Sequence, residues 1–176
     1  MHYSTAALPL VLIGCLFANS PSSGEPASPA PALHCQVPCG IYGDKMRIDM
    51  LMEDAATIEK GMQSILELEK DPGTNANQLV RWVVNKDQHA QSIQDMVAAY
   101  WLAQRIKAPT EESGDAGRDK YHKQLELMHG ITVAAMKCKQ TTDKANVDSM
   151  RTLALGFSET YFSKEDLEHI KEHQGK

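Results

Sequence analysis

Apolar residues recur at helical spacing along most of this chain, and this spacing limits the folds that are open to it. The first series steps by three and four positions, as does the buried face of an amphipathic helix. Its members are Ile48, Leu51, Ala55, Ile58, Met62 and Ile65. The series predicts a helix over residues 44–70, which the stretch Asp71-Pro72-Gly73-Thr74-Asn75 ends, because proline cannot continue a helix.

Three further series predict three further helices. The second helix is expected over residues 76–107, the third follows a polar loop at residues 108–117, and the fourth begins near Asp143. The members are, in chain order, Val80, Val83, Ala90, Ile93, Val97 and Tyr100; Tyr121, Leu125, Met128, Ile131, Ala135 and Cys138; and Met150, Ala154, Phe157 and Tyr161. Because residues 34–176 contain no strand pattern, we predict an all-α chain with an antiparallel four-helix bundle over residues 44–176, its core formed by the four series.

Two local features add detail to this bundle. Gly130 interrupts the third series and costs about 1 kcal/mol relative to alanine, which tight helix packing at that point would explain. Ser163-Lys164-Glu165-Asp166 is typical of a capping box and predicts a short, exposed terminal helix within residues 164–176.

The first 33 residues differ from the rest and are predicted to be a leader that is removed on maturation. They contain no lysine or arginine, and their apolar run of 13 residues, Ala6 to Ala18, is shorter than the roughly 20 residues that span a bilayer. Such a run before a stretch rich in proline and small residues is typical of a signal peptide, which predicts export to the periplasm or out of the cell. A cytoplasmic location is the alternative, and Leu12-Ile13-Gly14-Cys15 would allow lipid anchoring at Cys15.

Charge and cysteine content narrow the possible functions. The formal net charge of -5 gives no basic excess of the kind that neutralises phosphates, so nucleic acid is not an expected partner. Removal of the leader takes Cys15 with it and leaves Cys35, Cys39 and Cys138, an odd number. At least one thiol therefore has a role other than disulfide pairing. Cys138 lies in the third apolar series and is predicted to be a buried small hydrophobe.

The segment before the first helix concentrates good metal ligands. His34, Cys35 and Cys39 place an imidazole and two thiols within six residues, a combination that suits a borderline or soft transition metal. Pro38 and Gly40 let the backbone fold back on itself, so we name residues 34–43 the hook. The cysteine pair alone is equally compatible with a disulfide or half of a zinc site. The other histidines, which lack a second ligand at convincing spacing and are predicted to be structural or exposed, are His122, His129, His169 and His173.

The full pattern His-Cys-x-x-Pro-Cys-Gly-x-Tyr at residues 34–42 resembles the start of the mature nickel superoxide dismutases, and all six fixed positions match. The resemblance implies that nickel is bound by the α-amino group and imidazole of His34, by the amide nitrogen and thiolate of Cys35, and by the thiolate of Cys39. It also implies dismutation of superoxide to dioxygen and hydrogen peroxide by cycling between Ni(II) and Ni(III), without an organic cofactor. Tyr42 would stand beside the open coordination position, where it would order water or peroxide; packing of the hook onto the bundle is its alternative role.

The resemblance carries further expectations beyond the ligands. The family places a glutamate in helix one and, in some members, an arginine in helix two behind the histidine; Asp49 and His89 hold those positions here, and a purely structural or exposed role is the alternative for each. A homohexamer is implied. A free His34 amine requires a maturation peptidase, and because Ala30-Pro31-Ala32 resembles a signal-peptidase site that would leave Leu33 attached, cleavage falls one residue later or a second trimming step follows.

Two functions of other classes compete with superoxide dismutation. A non-catalytic nickel- or copper-binding helical protein would use the same amine, amide and thiolate donors without turnover. An exported helical module with a disulfide between Cys35 and Cys39 would bind a protein partner instead. Neither alternative requires Pro38, Gly40 and Tyr42.

Overall fold

The computed structural model describes residues 43–164 and Leu167, and within them every regular element is helical. Four long helices pack antiparallel, as predicted. They are α1 (Asp44–Leu68), α2 (Pro72–Met96), α3 (Gly114–Gln140) and α4 (Ala145–Tyr161); a π-helical segment, Val97–Arg105, continues α2, and a short 3₁₀ turn, Glu111–Ser113, precedes α3. No helix in the described part of the chain is long and apolar enough to cross a membrane.

The predicted core is confirmed for three of the four helices. Every member of the α1 series is buried, and the α3 and α4 series are buried or half-buried. Trp101 lies among the aromatic side chains that the π-helical segment and α4 bring together, with ring centroids 5.1 Å from Tyr100, 4.9 Å from Phe157 and 5.3 Å from Tyr161. Edge-to-face pairs of this kind stabilise a core beyond the area that they bury.

The prediction that the α2 series is buried is wrong for the first half of that series. Val80 and Val83 were predicted to be buried but are 62% and 38% exposed. The inward line at this level runs instead through Leu79, Trp82 and Lys86, at helical spacing. A pattern of apolar residues cannot reveal this inward line, because the line includes the charged residue Lys86. The buried Lys86 ammonium is stabilised by hydrogen bonds within the protein rather than by water.

The helix boundaries also differ from the predicted ones, for local reasons. Proline is tolerated at the first helical position, where its missing N–H has no partner in any case. Pro72 accordingly opens α2 rather than preceding it, and the Asp71 carboxylate accepts a hydrogen bond from the Thr74 amide as N-cap. α3 starts at Gly114, inside the predicted loop. The predicted terminal helix lies largely outside the described residues, although the Leu167 amide donates to the Ser163 carbonyl at 3.1 Å.

Two glycines allow close helix packing. A Cβ at Gly130 of α3 would lie 3.0 Å from Leu153 Cδ1 of α4, which confirms the tight packing that this glycine suggested. A Cβ at Gly61 of α1 would lie 3.2 Å from the Lys86 Cβ of α2. The two helix pairs that follow each other in the chain therefore each approach closely at a glycine.

Candidate metal centre

The structure describes the exit of the hook but not its predicted site residues: His34, Cys35, Cys39 and Tyr42 lie outside the described residues. Gly43, the last residue of the hook, has φ +106°, a left-handed conformation that favours glycine. A Cβ there would also lie 3.1 Å from Met46 Cβ. α1 begins directly afterwards, so the direction in which the chain leaves the hook is fixed by this glycine and by the first residue of the helix.

That first residue, Asp44, is the centre of a polar cluster that we name the Asp44 cluster: Asp44, Tyr100, Arg105 and Tyr161. Tyr100 donates its hydroxyl to Asp44 Oδ1 at 2.5 Å. Asp44 Oδ2 accepts from Arg105 Nη2 at 2.5 Å and from the Tyr161 hydroxyl at 2.7 Å. Arg105 Nε also donates to the Tyr161 hydroxyl at 3.1 Å. One carboxylate therefore joins the start of α1, the π-helical segment and the last residue of α4.

The cluster keeps Asp44 ionised and both tyrosines neutral. Burial would raise the pKa of the Asp44 carboxyl, but hydrogen bonds from Tyr100, Tyr161 and Arg105, with the charge of Arg105, outweigh burial and hold the pKa below its ordinary value. Burial, reinforced by the hydrogen bond to the carboxylate, raises the pKa of Tyr100 and of Tyr161 to about 12. At neutral pH the cluster is a fixed arrangement of charges and donors rather than a proton donor.

Unmatched donors lie next to this cluster. The Arg47 guanidinium stacks over the Tyr100 ring, 4.9 Å from its centroid. Arg47 Nε and Trp101 Nε1 are buried without a hydrogen-bond partner. Buried donors are normally matched, and a cation at the exit of the hook suits a neighbouring segment that carries thiolates. The thiolate, amine and amide donors of residues 34–39 suit a nickel ion.

The structure gives the other two predicted site residues different surroundings. His89 on α2 is a third exposed, and its Nδ1 lies 2.6 Å from Oδ1 of the mostly buried Asp54 on α1. A carboxylate at this distance favours a proton on Nδ1 and fixes the orientation of the ring. Asp49 is half-buried on α1, and the contact made to His89 from that helix comes from Asp54. The role of Asp49 and His89 behind the hook stays a prediction.

The remaining candidate ligands in the described part of the chain do not form a second centre. Within residues 43–164, no group of three or more histidine, cysteine or acidic side chains is arranged to hold a metal ion. Cys138 is buried, as predicted, and burial raises the pKa of its thiol to about 11, which makes it a poor ligand and nucleophile. His122 and His129 are exposed, also as predicted, whereas His169 and His173 lie outside the described residues.

Sequence reasoning missed the Asp44 cluster as a site. Tyr100 and Tyr161 were predicted as core residues, and Asp44 and Arg105 were not singled out. The hydrogen-bonded pairs are 56 to 117 residues apart in sequence, so no local pattern joins them. An aspartate at the first position after a predicted ligand segment is the signal that could have drawn attention to it.

An antiparallel helical bundle that begins directly after a segment with one histidine and two cysteines is typical of the class of helical metalloproteins. The family model of nickel-containing superoxide dismutase matches residues 28–165, which include the whole hook and most of the bundle. The chain therefore belongs to the nickel-containing superoxide dismutase family: it is an oxidoreductase that acts on superoxide, with nickel as its metal. Neither the search of curated proteins nor that of solved structures gave a significant match.

Proposed function

We propose that this chain dismutates superoxide at a nickel ion held by the hook, in a mature form that begins at His34. The ligands are the α-amino group and imidazole of His34, the amide nitrogen and thiolate of Cys35, and the thiolate of Cys39. The observation that carries this assignment is the family match, which covers the whole His-Cys-x-x-Pro-Cys-Gly-x-Tyr pattern. Two superoxide anions and two protons give one dioxygen and one hydrogen peroxide.

The donor set explains why this segment suits the reaction. Bound nickel supplies a one-electron couple between Ni(II) and Ni(III), which strongly donating thiolate and deprotonated amide ligands make accessible to superoxide. Both thiols must be deprotonated to bind. The start of α1 follows the hook directly, and a helix amino terminus and the Arg47 cation both favour anions in their vicinity.

Three further side chains are assigned supporting roles. Tyr42 would donate a hydrogen bond to water or peroxide beside bound nickel. Asp49 and His89 lie behind the His34 imidazole and orient it. The contact between His89 Nδ1 and Asp54 Oδ1 supports this role for His89, because a carboxylate that accepts from the ring fixes its orientation.

Maturation, location and assembly complete the proposal. Residues 1–33 are a leader, and a peptidase frees the His34 amine, with Leu33 trimmed in the same or a second step. The composition of the leader supports export to the periplasm or beyond, with the cytoplasm and lipid anchoring at Cys15 as alternatives. The assembly is a homohexamer; exposed apolar side chains on α1 and α2 provide surface for association, namely Leu66, Val80, Val83 and Val84.

Serine substitutions test the ligand assignment. Cys35→Ser and Cys39→Ser should each abolish tight nickel binding and superoxide removal, because each takes away one of the two thiolates. Cys138→Ser is the matched control: its thiol is buried and far from ionised at neutral pH, so nickel content should not change. Metal analysis and a superoxide assay on the three proteins give the readout. Full nickel content in Cys35→Ser would contradict the assignment. A disulfide between Cys35 and Cys39 in the gently isolated metal-free protein would instead favour the alternative of a helical module that binds a protein partner.

A further inference from the structure

We propose that Asp44 is a positioning residue for the nickel site: its carboxylate clamps the exit of the hook to the π-helical segment and to the end of α4, and so holds the hook in the conformation that retains nickel. This inference rests on the proposed function, because it requires nickel in the hook.

Asp44 can position the hook because the two are adjacent in the chain. Consecutive Cα atoms are about 3.8 Å apart, so the Asp44 Cα lies within about 8 Å of that of Tyr42. Only Gly43 separates the two residues. A displacement of Asp44 therefore moves the last part of the hook directly.

Asp44 makes more hydrogen bonds than a carboxylate needs in order to stabilise the first turn of a helix. A carboxylate in the first turn is already favourable for the helix dipole when it is exposed to water. Asp44 instead has a side chain only 18% exposed, and both of its oxygens accept hydrogen bonds from other elements. Arg105 and Tyr161 also bond to each other, so the donors are held in place before they meet the carboxylate.

The π-helical segment is the second, independent observation. Tyr100 and Arg105 are five positions apart, and in an α-helix, with 3.6 residues per turn, such residues point about 140° apart. In a π-helix, whose hydrogen bonds join residues five positions apart, they fall one turn apart on the same side. The Ile106 amide donates to the Trp101 carbonyl at 2.9 Å, a bond of this type. The irregular geometry thus brings both donors to one carboxylate, and π-helical turns are frequent at functional sites.

Glu59 offers a matched control on the same helix. Its side chain is also 18% exposed and also joins α1 to α4, through Arg151 at 2.7 Å and Lys144 at 3.0 Å. Hydrogen bonds from Arg151 and Lys144 lower its pKa, as those around Asp44 do for that residue. It lies 15 residues further along α1, which is about 22 Å from Asp44. Glu59→Gln therefore removes a comparable charge at a distance from Gly43 and Asp44.

The test compares nickel release from Asp44→Asn, Glu59→Gln and unchanged enzyme, each nickel-loaded and beginning at His34. A chelator in excess traps released nickel, and urea unfolding of the metal-free proteins measures how much each substitution destabilises the bundle. We expect Asp44→Asn to release nickel about tenfold faster, because loss of a supporting residue typically weakens metal binding by at least that factor. Glu59→Gln should release nickel at the unchanged rate, and the electron paramagnetic resonance of the oxidised nickel should change in Asp44→Asn alone.

Equal release rates in Asp44→Asn and Glu59→Gln would overturn the inference, since the carboxylate would then act only on bundle stability. Failure of the unchanged enzyme to hold nickel would instead contradict the proposed function on which the inference rests. If Asp44→Asn does not fold, Tyr161→Phe replaces it, because this change removes one donor and keeps the ring beside Trp101. Tyr161→Phe should release nickel several-fold faster than Tyr121→Phe, whose hydroxyl does not bond to Asp44; equal rates would overturn the inference in the same way.

Discussion

Two charged side chains of the bundle, Asp44 and Lys86, are held by different sets of partners. Asp44 accepts hydrogen bonds from side chains elsewhere in the chain. Lys86 donates its ammonium to the backbone carbonyls of Cys138 and Lys139, at 2.6 and 3.0 Å, and to the neighbouring Asp87 carboxylate at 2.7 Å. These carbonyls belong to the last turn of α3, where no further helical amides are available. Loss of Lys86 leaves buried backbone carbonyls without their cationic donor, while loss of Asp44 removes the acceptor that the other three side chains of the Asp44 cluster share. We infer that Lys86 holds the fold and that Asp44 holds the exit of the hook.

The largest effect on stability is expected for Lys86→Met. The methionine fills the space of the lysine stem but leaves the Cys138 and Lys139 carbonyls without their cationic donor, which should lower the free energy of unfolding by about 3 kcal/mol. Urea unfolding of the metal-free protein measures this loss of stability. Lys139→Met is the control, because Lys139 donates only to the side chains of Gln91 and Gln94 and should cost less than about 1 kcal/mol. If Lys86→Met lowered the free energy of unfolding as little as Lys139→Met does, the inferred contrast between Lys86 and Asp44 would not hold.

Asp44→Asn should have a smaller effect that depends on pH. Because the folded pKa of Asp44 lies below its ordinary value of 3.8, the carboxylate contributes stability above that value and loses it as the pH falls through the folded pKa. At pH 7 the substitution should cost about 2 kcal/mol, in the range for hydrogen bonds to a charged group. Unfolding measured from pH 7 down to pH 3 should show the gap to the unchanged protein narrowing below about pH 4. A gap that stays constant over this range would show that the charge of Asp44 does not supply the stability.

The smallest effects are expected when single donors are removed from the Asp44 cluster. Tyr100→Phe and Tyr161→Phe keep the rings and delete one hydroxyl each, so each should cost about 1 kcal/mol. Tyr161→Phe should cost clearly less in the Asp44→Asn background, because residues in one network are coupled. A double-mutant cycle on metal-free protein, followed by urea unfolding, measures this coupling. Additive losses would mean that the cluster does not act as a unit.

The sequence predicts the bundle well because burial of apolar faces decides it. The α1 series is buried at every position, and Cys138 is buried as its place in the α3 series indicates. The same reasoning fails at Lys86, where hydrogen bonds to backbone carbonyls stabilise a charge on an inward face. Val80 and Val83 were therefore assigned to the core one position away from the true line of α2.

The candidate site was likewise predictable from the sequence only in part. The proposed ligand residues His34, Cys35 and Cys39 could be named from the sequence because they are neighbours in the chain and match a specific pattern. The Asp44 cluster was not found, because tertiary packing assembles it and a π-helical segment, which has no reliable sequence signal, aligns two of its donors. Contacts between distant residues remain invisible to periodicity and to local motifs.

The decisive measurement is superoxide dismutation by nickel-loaded protein that begins with a free His34 amine, beside a version that retains Leu33. We expect activity only in the first protein, because the proposed amine ligand exists only after cleavage of the bond between Leu33 and His34. Equal activity in the version that retains Leu33 would contradict the amino-terminal nickel site, and tight nickel binding without activity in either protein would contradict catalysis itself.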